Sequence, residues 1–517
     1  MKIIIKIYNL KNLSKNSQKN YLENMEPKYT SNEESNNSQK MEATVLQSPA
    51  IIPLQGEETN EKIEPVQIID TQASLKTKTE EAKAVATIKE NVSDSSILGA
   101  TSMLTNICLG TTIFTFAVRA KQFGLVWLIV ATIFCGAVNY WTILRSVMAS
   151  KPMKENDFSE ITEKLLGRKA RLILNFLIIL YSYALVMCFI ALMYPLFGRF
   201  VQHVGYRNKY KTYNEFADAL WNKAYIKFPF FIVLAFLQSL ICLIKDINKL
   251  NFSAYIGVGA CMYTLLVVTI QCKGYYNYYK KTEYIKEDKS THPNWSDLSQ
   301  AFTSDLHFFK GMASLFTAYS CVTGVYPVYE GFKHQKGGFH KMKLSTLYSV
   351  ILVTVLHILS ITVAFLTEPI YPQDIIIYRI PKDNGKDVLM NIAKFAIAIS
   401  LFFSLPGYYF GLRLSVSNSF TNGKISNKFN YLLTFISLYV CAFIAAVYDK
   451  ILNYLSYVGG FFSCFICYLF PILLYIKTTG KPITYWKNLI EFIGAILLCI
   501  VGVTAGILTV RDDINGK

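Results

Sequence analysis

Residues Asn106–Gly124 read NICLGTTIFTFAVRAKQFG. They belong to an apolar run, Ile97–Phe116, yet Gly110-Thr111-Thr112 interrupts it with poor helix formers. In hydrocarbon, each backbone N–H or C=O left without a partner costs several kcal/mol. An unwound stretch therefore persists in a membrane only where protein buries it or where it lines a watery cavity. Glycine permits the dihedral angles of a break, and a threonine hydroxyl can take a freed carbonyl.

The rest of the chain supplies the membrane context. Its 517 residues are 52% hydrophobic, with a mean hydropathy of +0.30. Apolar stretches of about 20 residues recur, the length a helix needs to cross ~30 Å of hydrocarbon. Eleven spans are expected, with cores at Ile97–Phe116, Leu125–Met148, Leu172–Phe197, Phe228–Leu243, Phe252–Cys272, Phe308–Tyr329, Leu344–Phe365, Val388–Leu414, Tyr431–Val447, Ile451–Ile476 and Leu489–Thr509. The chain thus reads as an all-α polytopic membrane protein. Residues 1–95 form a polar tail expected to be disordered, 96–511 a membrane domain, and 512–517 a short C-terminal tail. The tail's start, MKIIIKIYNLKNLSKN, has too short an apolar core for a secretory signal.

Charge follows the same division. The formal net charge is +17, but the tail carries 12 Lys against 14 Asp and Glu. The whole surplus therefore sits in connections between apolar runs, where it anchors and orients the protein. No nucleic-acid motif accompanies it. Setting aside two longer connections, near 198–227 and 273–307, the basic residues favour a cytosolic N-terminus. Asn294 in NWS is a glycosylation acceptor pattern on the opposite side. All eleven cysteines fall in or beside apolar runs, which suits buried thiols rather than a disulfide framework.

A second interruption lies in the sixth span, at FTAYSCVTGVYPVYEGF, Phe316–Phe332. Ser320, Thr323, Gly324 and Pro327 cluster there within about two turns. Paired breaks in corresponding places of two halves point to a transporter binding site. A half-helix N-terminus suits an anionic group, and freed C-terminal carbonyls suit a cation. For either segment alone, close packing by small residues is the competing reading.

At these residues the chain resembles the amino acid/auxin permease family. TNICLGTTIFTFAVRAKQFG is similar to that family's first helix, and SCVTGVYPVYEGFK to its sixth. ICLIKDINKLNFSAYIG resembles the connection from the fourth to the fifth helix. SLFFSLPGYYFGLRLSV and YLSYVGGFFSCFICYLFPILLYIK resemble the eighth and tenth. The resemblance covers residues 95–510 and rests on five segments in order. It departs at Thr112, where the family usually has Gly, at Val322, where some members have His, and in a Pro missing after the first break.

The resemblance implies a five-plus-five inverted repeat with discontinuous first and sixth helices and one appended helix. It implies a secondary or facilitative transporter of amino acids, with no enzymatic role. Gly110, Thr111 and Thr112 would hold the substrate carboxylate. The carbonyls around Ser320, Cys321 and Thr323 would take the amino group, with Gly324 also at the substrate site. Asn106 and Ser404 match positions near a bound Na⁺ in sodium-coupled members. An interhelical hydrogen bond for Asn106 and a back-bond for Ser404 are the alternatives.

A proton is the other candidate coupling ion, and His357 is the one ionisable residue well inside a span. A hydrogen-bonded structural histidine is the plainer expectation. Arg119, Lys121 and Arg413 are expected to anchor span ends, with an outer gate open to the first two. Glu330 suits an anchoring or gating pair. Tyr183, Tyr319 and Tyr326 are candidates to line the site. An integral-membrane enzyme is disfavoured because the six His form no HxxxD, HxxxH or HExxH pattern. Another small organic solute remains the alternative substrate. The membrane is either the plasma membrane or that of an organelle.

Overall fold

The computed structural model describes residues 96–515 except 110–111, 156, 207, 211–212, 244–250, 282–304, 368–374, 380–386, 421–425 and 449. The N-terminal tail, Gly110, Thr111 and Asn294 lie outside the described residues. Among those described there is no β-strand. Among the described residues, nine helices are long and apolar enough to cross a membrane, and two broken ones bring the number to eleven.

The first span runs as Ile97–Leu109, a short 3₁₀ turn at Thr112–Phe114, and Phe116–Phe123. It is longer than the sequence suggests, so Arg119 lies within it. The second to fifth are Leu125–Ser150, Arg168–Val201, Ala224–Cys242 and Asn251–Lys281. The sixth is split into Asp305–Ala318 and Val322–Lys333. The seventh to ninth are Gly338–Thr367, Val388–Phe420 and Asn427–Val447. The tenth, Ile451–Thr478, passes through two π segments, and the eleventh is Trp486–Ile514. The two broken spans stand five apart, as the five-plus-five repeat requires, and the eleventh packs outside on spans six and ten.

Local chemistry sets the joints. Gly124 has φ 91°, a left-handed conformation open to glycine, and it alone separates the first span from the second. Asp157 caps the interfacial helix Phe158–Leu166 by accepting from the Ser159 N–H. Gly459 and Gly460 let the tenth span press backbone against backbone. A Cβ on Gly459 would lie 1.8 Å from Ala313 O in the sixth span, and one on Gly460 2.7 Å from Gly502 O in the eleventh.

Burial separates centre from rim. In the third and tenth spans, 67% of the apolar window is enclosed, against 33% in the fourth and eleventh. The rim helices turn stripes such as Ile232, Phe236 and Leu240 outward, where lipid replaces protein contact. The most extensive packing joins spans three and eight, while the seventh packs on the first and second. These central helices surround both breaks.

Candidate functional site

Backbone accounting shows how the breaks are held. Ile107 O, in the last turn of the first half, accepts from Tyr408 OH of the eighth span at 3.0 Å. Thr112 O accepts from Thr115 N at 3.0 Å and Thr115 Oγ1 at 2.8 Å. Ser360 Oγ of the seventh span donates to Ile113 O. At the sixth-span break, Cys321 N turns back to Tyr319 O at 3.0 Å and Gly324 N to Cys321 O at 2.9 Å. Tyr181 OH of the third span donates to Ser320 O at 3.2 Å, and Ser320 Oγ donates to Tyr181 OH at 2.9 Å. Ser320 Oγ also lies 3.2 Å from Cys467 Sγ of the tenth span.

Between the two breaks is a cavity bounded by Ile107, Cys108, Thr112, Tyr181, Leu185, Phe189, Thr317, Ser320, Tyr408 and Leu455. No lining residue is ionisable in the acid or base sense of Asp, Glu, Lys, Arg or His. The polar groups are hydroxyls, a thiol and peptide dipoles, a set that suits a zwitterion of zero net charge. The Thr112 hydroxyl is buried against this space with no hydrogen-bond partner among the described residues. In the conformation described, the space holds little more than a water molecule.

A second small cavity adjoins the first and shares Phe189 and Tyr408 with it. Asn106, Ser400 and Ser404 converge there, from the first and eighth spans. Asn106 Oδ1 presses on the fifth span so closely that a Cβ on Gly257 would sit 2.1 Å from it, and 3.2 Å from Ser400 Oγ. The lining thus includes three residues with neutral side-chain oxygens. Ser400, not singled out from the sequence, stands one turn from Ser404 on the same face.

The sequence candidates separate accordingly. Thr112 and Ser320 face the cavity together. Tyr183 does not: its hydroxyl donates to Ser437 Oγ at 3.1 Å, toward the ninth span. Tyr319 bonds Thr354 Oγ1 at 2.8 Å and is wedged between the second and seventh spans. Cys321 accepts from Asn139 Nδ2 at 3.7 Å. Gly324 is a packing position, where a Cβ would lie 2.3 Å from Ile107 Cδ1. Thr323 is half-buried and is not part of the cavity wall. Tyr326 stacks on Phe158 with centroids 4.6 Å apart, at the N-terminal face.

Three charged or titratable residues depart from expectation. His357 is fully buried, but neither ring nitrogen has a hydrogen-bond partner among the described residues. Its ring instead meets Phe116 and Tyr319 edge-on, with centroids 5.2 and 5.3 Å away. Arg119 is no surface anchor. It is buried and reaches Ser314 Oγ at 3.1 Å, Gln122 Oε1 at 3.1 Å and Ser456 Oγ at 3.2 Å, tying spans one, six and ten. Arg413 is buried too, and donates at 3.1 Å to Cys242 O at the C-terminus of the fourth span, where a cation complements the helix dipole.

At the N-terminal face, Asn418 Nδ2 donates at 2.9 Å to Asp157, linking the end of the eighth span to the interfacial helix. Burial pushes the Asp157 carboxyl above its ordinary range, although the Ser159 N–H pulls the other way.

A family model described as transmembrane amino acid transporter protein matches residues 93–511. Among solved structures, the chain is similar to Mhp1, a nucleobase-cation-symport-1 family transporter in a closed conformation with bromovinylhydantoin bound. The TM-score is 0.49 at 11% identity, covering 81% of this chain and 92% of that one.

Proposed function

The chain belongs to the transmembrane amino acid transporter family, and from that premise we propose that it carries a zwitterionic amino acid by alternating access. It is a multi-pass transporter and not an enzyme. The observation that carries the reading is the neutral cavity between the two breaks, with Thr112 on one wall and Ser320 on the other.

The substrate carboxylate faces the first break, where Thr112 offers a hydroxyl without a partner among the described residues. The amino group faces the sixth-span break, where the Ser320 carbonyl is already shaped by Tyr181. Tyr408 and Phe189 cover the apolar side chain. The coupling ion is Na⁺, held by Asn106, Ser400 and Ser404. Its position beside Tyr408 links ion and substrate, because both cavities share that wall.

The experiment is uptake by purified protein in liposomes. Labelled amino acids are supplied with sodium and proton gradients imposed separately. Saturable, sodium-dependent uptake of a subset is expected, and Ser404→Ala should raise the sodium concentration needed for half-maximal rate. Uptake driven by pH alone would overturn the sodium assignment. No uptake of any amino acid by folded protein would overturn the substrate class.

A further inference from the structure

The eleventh span stands outside the two five-helix repeats, yet its last turn grips both the sixth span and the start of the tenth. Asp512 and Asp513 lie in that turn, on the face opposite the N-terminus. Asp512 Oδ2 accepts from Lys310 Nζ of the sixth span at 2.6 Å, and its Oδ1 accepts from Arg511 Nη2 at 3.3 Å. Asp513 Oδ1 accepts from Lys450 Nζ at 2.6 Å. Its Oδ2 accepts from Tyr448 OH at 2.6 Å and from Tyr457 OH at 3.2 Å. Tyr448 and Lys450 belong to the joint between the ninth and tenth spans, and Tyr457 to the tenth. Asn453 Nδ2 donates to Tyr448 OH at 3.0 Å and Tyr454 OH to Tyr448 O at 3.1 Å, which brace that joint.

The same two spans wall the cavity deeper in the protein. Thr317 lies about two turns beyond Lys310 in the same half-helix. Its hydroxyl donates to Leu455 O of the tenth span at 2.6 Å, and both residues line the cavity. Arg119 also bridges Ser314 of the sixth span and Ser456 of the tenth. Opening the cavity toward this face parts the first half of the sixth span from the tenth. Adjacent residues on one rigid helix end cannot follow both. At least one of the two carboxylates then loses its partners, and hydrogen bonds to an ionised carboxylate are the strong ones.

We propose that Asp512 and Asp513 form a clasp that holds the sixth and tenth spans closed over the cavity and must be released for this face to open. The clasp rests on the alternating-access reading above and assigns a role to the eleventh span, which contributes no residue to either cavity wall. The Lys450 side chain is 48% exposed, so salt reaches that half of the clasp and weakens it.

The test is alkylation of a cysteine placed at Ser314, a position 1% exposed and lying between the cavity and this face. Purified full-chain Ser314→Cys protein is treated with a membrane-impermeant thiol reagent, and the labelled peptide is read by mass spectrometry. Adding Asp512→Asn and Asp513→Asn should speed labelling about fivefold. Raising salt from about 0.1 to 1 M should speed it only while both carboxylates are present. Equal labelling with and without the carboxylates would overturn the proposal, as would the same salt response in both. If the paired variant fails to fold, the salt series on Ser314→Cys alone decides, and no acceleration would overturn the clasp. Labelling needs no transported substrate, so the clasp stands or falls on it whether or not uptake is seen.

Discussion

Tyr181 and Ser320 hold each other reciprocally: the serine hydroxyl donates to the tyrosine oxygen at 2.9 Å, and the tyrosine hydroxyl donates to the serine carbonyl at 3.2 Å. This pair fixes the sixth-span break to the third span, on the wall where the substrate amino group is placed. Tyr181→Phe removes both bonds. Each is worth about 0.5–1.5 kcal/mol net. The variant should insert normally, with its half-saturation concentration raised about tenfold, a loss near 1.4 kcal/mol. Initial-rate uptake against concentration measures this; an unchanged half-saturation would remove Ser320 from the site.

Thr112 tests the opposite wall. Its hydroxyl is buried without a partner among the described residues, so Thr112→Val removes an unsatisfied group. Such a change is neutral or stabilising for the empty protein, by up to about 1–3 kcal/mol. Substrate affinity should nonetheless fall about tenfold. Unfolding midpoints and uptake, measured on one preparation, separate the two effects. A drop in both would mark Thr112 as structural only.

Gly324 tests the contact between the breaks. A Cβ there would lie 2.3 Å from the tip of Ile107. Alanine asks only that this flexible tip turn aside, whereas leucine overpacks the junction at about 1–3 kcal/mol. Gly324→Ala should retain most uptake, and Gly324→Leu should lose it while the protein still reaches the membrane. Adding Ile107→Ala to Gly324→Leu should restore part of the rate. The double variant shows whether the clash, rather than the substitution itself, is responsible.

The Asp387 network predicts a pH response. Burial alone would raise its carboxyl, but hydrogen bonds from Tyr275 and Gln271, the Met390 N–H and the charge of Arg379 hold it below the usual carboxylate range. A lowered value in the folded state favours folding at every pH above the ordinary value of about 3.9. That contribution is lost as pH falls through the lower, folded value. The midpoint should therefore be flat in this respect from pH 8 to 5. Asp387→Asn should cost about 3 kcal/mol at pH 7, because it removes the carboxylate paired with the buried Arg379. The gap to wild type should close only below about pH 4.

The sequence makes the two breaks legible because only a few residue types tolerate unwound backbone in a membrane. Gly110-Thr111-Thr112 and Ser320 to Gly324 advertise themselves in apolar surroundings. The choice between Tyr181 and Tyr183 is not legible. The third span is apolar on all sides and mostly enclosed, so no polar face tells which ring points inward. Arg119 was equally hidden. Its burial depends on the helix resuming at Phe116 and on serines contributed by spans six and ten. Ser400 lacked any local mark, although its spacing from Ser404 places both on one helical face. His357 shows the reverse case: the sequence located it inside the fold, but its neighbours are aromatic rings rather than hydrogen-bonding groups.

The central claim is that one amino acid bridges the two breaks. A structure of the purified protein with a saturating transported amino acid tests it most directly. The account predicts density between Thr112 and Ser320, the carboxylate toward Thr112 and the amino group toward the Ser320 carbonyl, in a cavity wider than the one described here. Density seated elsewhere, or a substrate turned end for end between these residues, would contradict it.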